Sequence, residues 1–344
     1  RAANSAVPLP RFADLWQAFT HLVDINAGPG GVPPSLVLLD AVAAEVRGDV
    51  GGAMRAWVEQ KVRHQGAENA LEERRRDMSP STGAPGLHLL LALEHDGISG
   101  DRYVLSSWRQ TMPGVWPPAK VGIREVDEDY LERAFDEEVV AAERAWADQL
   151  APVTLEVILP RELIHLPVHR WNKEHESGQP QPLCVEYIIR VRSLERMRSE
   201  HWHRVWRKRW RSLNDDPSPM RIYFGGAEGV TERVDVALHA SDSVAMVLSA
   251  PPSPRCPGGA AIDEFTAALR AGMPVLLWHP DVTPEKLTKL VMQLTASGGL
   301  IGLPEQSRIS RSASLGSPVQ DLARDLVVLW DDPDRIVVLG TGPS

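Results

Sequence analysis

The chain has 344 residues, 43% of them hydrophobic, with a formal net charge of −9 and a pI near 5.7. That length predicts two domains, or one large α/β unit with a helical annex, and the apolar share supplies a sizeable core. No apolar run approaches the roughly 18 to 20 residues needed to cross a bilayer, and the acid excess argues against bulk electrostatic binding of nucleic acid.

The opening "RAANSAVPLPRF" has neither an initiating Met nor a charged start followed by an apolar core, so it predicts an excised part of a longer polypeptide rather than a signal peptide. In "FADLWQAFTHLVDIN", Phe12, Leu15, Trp16, Phe19, Leu22 and Val23 recur three and four apart, the spacing of one helix face. "AGPGGVPP" then stops the helix, and Pro34 suits the first turn of a second. A third stretch, "GGAMRAWVEQKVRHQGAENALEERRRD", ends in a charged face, which makes residues 1–80 a small helical bundle. The Pro/Ser/Gly-rich "MSPSTGAPG" marks the boundary.

From residue 87 the pattern changes: "LHLLLALEH" and "DRYVLSSWRQ", joined by "DGISG", predict a hairpin, and a long helix follows over roughly 126–150. "VTLEVILP" and "LCVEYIIRV" are β-rich runs. Beyond residue 220, "RIYF", a helix over 231–241, "VAMVLSA", a helix over 260–271, "PVLLWH", a helix from Pro284 and "RIVVL" alternate. Such alternation predicts an α/β fold: a mixed, largely parallel layered sheet with flanking helices, Rossmann-like in outline, over residues 87–344, with a division near 215–220 as an alternative.

Several stretches could carry chemistry. "FGGAEG" after a strand offers Gly225 and Gly226 as a candidate cofactor or phosphate turn, since glycines let backbone N–H groups approach an anion. It matches neither GxxxxGK[ST] nor GxGxxG, so an ordinary strand-to-helix turn is the stronger reading. His239 and Cys256 form a candidate catalytic dyad if the fold brings them together, but His239 lies in a helical run and Cys256 in the loop-like "PPSPRCPGG". His165 and His169 are four apart with Pro167 between them, which breaks the helix a metal pair would need. No cofactor and no metal is expected. Only one other cysteine is present, Cys184, and so low a cysteine content fits a reducing cytoplasm, the expected location.

The charge is unevenly spread: 125–138 is acidic and 190–211 strongly basic, a pair that would neutralise each other on meeting. In "HWHRVWRKRW", Trp202, Trp206 and Trp210 recur four apart and form a stripe. On one reading the tryptophans dock the helix on the sheet and the cations are solvated or paired. On the other, Trp202, Trp206, Arg207, Arg209 and Trp210 form an interaction surface, tryptophan and arginine being the residues most enriched at interface hot spots. An acidic partner protein suits that surface better than nucleic acid.

"LHLLLALEHDGISGDRYVLSSWRQ", "VTLEVILPRELIHLPVHRW", "YIIRVRSLERMR" with "HRVWRKRW", and "VAMVLSAPPSP" leading to "FTAALRAGMPVLLW" together resemble the C-terminal region of the vWA-MoxR associated proteins, and "LWQAFTHLVDINAGPGGVPP" is similar to the family's middle region. The resemblance implies a place in a bacterial conflict or anti-phage defence system, as the non-enzymatic core joining a MoxR-type AAA+ ATPase and a von Willebrand A (vWA) domain protein to an upstream effector such as a trypsin-like protease. It brings no catalytic residues. "LPRELIHLPV" and "VLSAPP" with "ALRAGMPVLLW" are more weakly similar to caspase-like CHAT domains, without the His-Gly pair or the acid before the cysteine, and "SDSVAMVLS" with "AGMPVLLW" to TIR domains. The alternative is therefore a divergent, inactive cysteine peptidase or a nucleotide-binding domain, since fold analogy confers no activity. The adaptor reading expects alanine at His239 or Cys256 to leave function intact and charge reversal at Arg207 and Arg209 to break a partner contact.

Overall fold

A computed structural model describes residues 12, 14–25, 31–46, 49–71, 86–96, 102–226, 234–254, 263–315 and 322–339. The chain divides into two compact units, Arg1–Ser79 and Pro80–Ser344.

The first unit holds the helices Leu15–Val23, Pro34–Glu45 and Asp49–His64. Asp14 caps the first by accepting from Gln17 N at 2.8 Å, and Pro34 opens the second, where its missing N–H costs nothing. The core is Val32, Leu36, Val37, Val58, Val62, Ala67 and Leu71. Of the apolar stripe expected on the first helix, Leu22 is buried while Leu15, Trp16 and Val23 are exposed.

The second unit is built on β1 (Leu87–His95), β2 (Arg102–Arg109), β3 (Ala119–Asp127), β4 (Val153–Leu159), β5 (Asn172–Lys173), β6 (Gln181–Pro182), β7 (Ile188–Ser193), β8 (Ile222–Phe224), β9 (Ala245–Val247), β10 (Val275–Trp278) and β11 (Val327–Trp330). Nine of these strands form one sheet in the order β3-β2-β1-β4-β7-β11-β10-β9-β8, and β5 pairs with β6. The sheet is mixed but mostly parallel. β1, β4, β7 and β11 run together, β8, β9 and β10 run together in the opposite sense, and the hairpin β1-β2-β3 is antiparallel.

Strand alternation builds the layers. Leu89, Leu91 and Leu93 of β1, Val191 of β7, Leu329 of β11 and Leu276 of β10 feed one large core under the helices Leu131–Ala145 and Glu264–Arg270. Their neighbours serve the other face: Leu90, Ala92 and Ile158 in one apolar cluster, Val275, Leu277, Val328 and Trp330 in another.

Several elements differ from the sequence expectation. The long helix predicted over 126–150 is shorter, Leu131–Ala145, because "AKVGIREVD" is the edge strand β3. "LCVE" is a short helix, Leu183–Glu186, and the strand begins at Ile188. "RIVVL" forms no strand; the sheet takes "VVLW" instead, where Leu329 pairs with Val191 and Trp330 with Val275. Val337 and Leu339 of the displaced run pack on the cluster around Leu90.

Candidate functional site

The Gly225–Gly226 turn follows β8, and its anion cradle is filled from within the chain. Gly226 N donates to Glu264 Oε1 at 3.0 Å and Ser249 N, just past β9, donates to Glu264 Oε2 at 2.7 Å. Converging backbone N–H groups of this kind are the means by which turns hold anions; here the anion is the carboxylate of the first residue of helix Glu264–Arg270. A Cβ at Gly225 would stand 2.5 Å from Glu264 Oε1, and Gly226 has φ +64, so both glycines serve this close approach. The preceding Asp263 caps the helix through Thr266 N at 2.9 Å and is ion-paired to Arg161, whose Nη1 also donates to Thr266 Oγ1 at 2.7 Å. Burial alone would raise the Asp263 carboxyl, but Arg161 and Thr266 hold it below the usual carboxylate range.

His239 is exposed, its Nδ1 bonded to the helix carbonyl of Asp235 at 2.7 Å. Its proposed partner Cys256 lies outside the described residues. His165 lies just past the 3-10 turn Arg161–Leu163 and its C-cap Ile164, and His169 in the next 3-10 turn, Val168–Arg170, with Pro167 between them. Among the described residues no group of three or more His, Cys, Asp or Glu is placed to hold a metal ion.

The helix His203–Asp215 separates the two halves of its sequence pattern. Trp206 is 0% and Trp210 4% exposed, and Trp202 packs against the large core. Arg209 is also buried, donating to the carbonyls of Ala271 at 2.8 Å, Ser241 at 3.3 Å, Ser243 and Leu238. Of the five residues expected at an interaction surface, then, four are drawn into packing and Arg207 alone is exposed, in line with Arg204, Lys208 and Arg211. Gly272, at φ +77, lets the turn before β10 approach this helix so closely that a Cβ would sit 2.7 Å from Trp206 N.

The acidic and basic stretches do not neutralise one another. Glu125 and Asp127 pair with Arg102, Glu137 and Glu138 with Arg124, and Asp136 with His175. The basic stretch instead sends Arg190, Arg192 and Arg196 beneath the sheet, into a charged seam that sequence reasoning passed over.

That seam lies on one sheet face between the two apolar clusters. Arg192 donates to Glu156 Oε2 at 2.7 Å and to Asp331 Oδ1 at 3.3 Å, Arg196 Nη1 donates to Asp331 Oδ2 at 2.9 Å, and Glu156 Oε1 accepts from His88 Nδ1 at 2.7 Å. The arginines that lack a full set of acceptors stack on tryptophans: Arg190 lies 5.6 Å from the Trp330 ring centroid, Arg196 5.4 Å from Trp206 and Arg335 5.7 Å from Trp116. Burial would raise the Glu156 carboxyl, but Arg192 and the His88 hydrogen bond outweigh it and hold it well below the usual range. Burial pushes His88 down to about 4 despite Glu156, and pushes Asp332 up to about 6. The signal was legible in principle: a Glu within "VTLEVIL" and alternate Arg residues in "IIRVRS" put charges into runs otherwise fit for burial.

A second buried group gathers His169, Asp325, Arg311 and Cys184, with the exposed Arg170 at its edge. His169 Nε2 lies 3.9 Å from Asp325 Oδ1, Arg170 is ion-paired to the same carboxylate, and burial pushes His169 down to about 4. Burial pushes the Cys184 thiol up, so it stays protonated and is no ready nucleophile.

The fold and these sites define an α/β module whose strongest polar geometry is spent on its own cohesion. The chain belongs to the vWA-MoxR associated protein family: residues 101–333 match the family's C-terminal domain, and residues 1–76 match its middle region 0. The matched range starts after β1, although β1 pairs with both β2 and β4 in the sheet. No curated protein matches the sequence. No helix among the described residues is long and apolar enough to cross a membrane.

Proposed function

We propose that this chain is a cytoplasmic, non-enzymatic regulatory and adaptor module of a bacterial conflict system, linking a MoxR-type AAA+ ATPase and a vWA-domain protein to an effector fused upstream. The family's description associates it with vWA and MoxR proteins. The observation that carries the reading is the Glu264 carboxylate on Gly226 N and Ser249 N, which fills from within the chain the cradle a nucleotide phosphate would need. The arrangement at His239 fits it as well, since that ring is bonded to its own helix. A module of this kind works through differential contacts in two states of an assembly rather than through chemistry of its own.

The test is an affinity pull-down with the purified chain as bait in lysate of the native bacterium, with and without ATP, read by mass spectrometry. Recovery of an AAA+ ATPase or a vWA-domain protein supports the adaptor; recovery of nucleic acid or small molecules alone overturns it.

A further inference from the structure

The exposed side of helix His203–Asp215 carries Arg204, Arg207, Lys208 and Arg211, spaced as one stripe opposite the buried Trp206, Trp210 and Leu213. With Glu200 and Asp215 at its two ends, the stripe lines a shallow trough of about 840 Å³. Among the described residues Arg204, Arg207 and Lys208 have no hydrogen-bond or ion-pair partner. Like charges three and four apart on a helix destabilise it, so the stripe is an internal cost. It persists in a chain of net charge −9, whose densest acidic stretch is engaged by Arg102, Arg124 and His175.

We propose that this stripe docks a short acidic helical segment of a partner protein. The proposal deepens the adaptor reading by naming a face through which it would work. Three observations fix the chemistry. From Arg204 to Arg211 the cations extend for about 10 Å at the helical rise, the length of two turns. Glu200 and Asp215, which also line the open trough, put a carboxylate beyond each end of the stripe. A nucleic-acid strand running along the stripe would meet like charge at both ends, whereas an acidic segment of two turns fits between them. The helix is also held rigidly, by Trp206 Nε1 on Asp331 O at 3.0 Å and by Arg209 on four carbonyls, so the cations are presented on a fixed backbone and docking orders only side chains.

The experiment uses the full chain and three fluorescent probes: a helix-forming peptide with Glu at four positions spaced i, i+3, i+4 and i+7, the same peptide with Gln at those positions, and a single-stranded DNA oligonucleotide. Anisotropy is measured at low and high salt for the parent, for Arg204→Glu/Arg207→Glu, for Arg207→Glu/Lys208→Glu, and for Lys286→Glu/Lys289→Glu as an exposed charge control, with melting temperature recorded for each. The expected result is binding of the Glu peptide over the Gln peptide, weakened by salt, reduced about tenfold or more in both stripe variants and unchanged in the control, at a melting temperature no lower than the parent's. Equal binding of the two peptides, preference for the oligonucleotide, or indifference to the stripe variants each overturns the docking face. If the ATPase or vWA protein is still recovered by the bait in that event, the adaptor stands and its contact lies elsewhere on the surface.

Discussion

Arg192 donates to Glu156 Oε2 across 2.7 Å, with the arginine side chain 0% and the glutamate 1% exposed. Two charges in that position lose their hydration, and their attraction offsets the loss only while both are present. Glu156→Gln leaves Arg192 charged and short of a counter-ion and is expected to cost about 3 to 5 kcal/mol, read as a shift in the urea midpoint. The paired replacement Glu156→Leu with Arg192→Met should recover part of that loss, and the cycle built from the singles and the double gives the coupling. A Gln variant as stable as the parent would mean that the seam does not hold β4 to β7.

Acid should weaken the fold through its buried histidines. His88 and His169 are each pushed by burial from an ordinary 6.5 to about 4. Between those values the unfolded chain holds their protons and the folded chain does not, so stability present above pH 6.5 is lost as pH falls toward 4. Asp332 works the other way: its carboxyl, raised from 3.8 to about 6, contributes stability at low pH that is lost as pH rises through that window. Near pH 5 to 6 the two histidines less Asp332 leave a net uptake of about one proton on unfolding. His279, lowered by burial, and Asp331, raised by burial, act in the same range, so His88→Asn is expected to reduce the slope by about one proton, whatever it does to absolute stability. Urea midpoints at several pH values measure it, and an unchanged slope would show that His88 is protonated in the fold.

The parts of the fold that were legible from sequence are those where one run of residues carries its own instruction. β1, β2 and β4 are long apolar or alternating runs, and "DGISG" announces the hairpin. β3 was hidden because Lys120, Arg124, Glu125 and Asp127 give it the look of a solvated lead-in to the following helix; its pairing with β2 and the bonds to Arg102 are long-range facts. "VVLW" and the "IVVL" of "RIVVL" are both wholly apolar, and the pairings that single out the first, with Val191 and Val275, are long-range. At the site, the tryptophan stripe was readable as a docking face by its spacing. The partners of Glu264, Arg192 and Arg209 were not, since each bridges segments remote in sequence.

The filled cradle makes a separate prediction. Glu264→Ala removes the acceptor shared by Gly226 N and Ser249 N; Gly226 is exposed and Ser249 half-buried, so water replaces the carboxylate and the expected loss is about 0.5 to 1.5 kcal/mol. The local signature is faster amide hydrogen exchange at those two residues than in the parent, with the exchange of β4 unaffected. Gly225→Ala should destabilise as well, because its Cβ would press on the same carboxylate at 2.5 Å. If neither amide gains exchange in Glu264→Ala, the carboxylate is not what holds them.

Arg207 and Arg209 are two residues apart, yet charge reversal at each should have unrelated consequences. Arg207 is exposed, and Arg207→Glu is expected within about 0.5 kcal/mol of the parent in stability, its effect confined to binding. Arg209 threads its guanidinium among the carbonyls of Leu238, Ser241, Ser243 and Ala271, tying the end of helix Val234–Ala240 to the turn before β10. A carboxylate there would lose every donor and face acceptors, so Arg209→Glu should abolish cooperative folding. The milder Arg209→Met should cost about 2 to 4 kcal/mol, since it keeps the stem's packing but strands several buried carbonyls. Thermal melts of the three variants decide between the roles: comparable loss in Arg207→Glu and Arg209→Met would mean that the exposed stripe, too, is part of what holds this helix to the sheet.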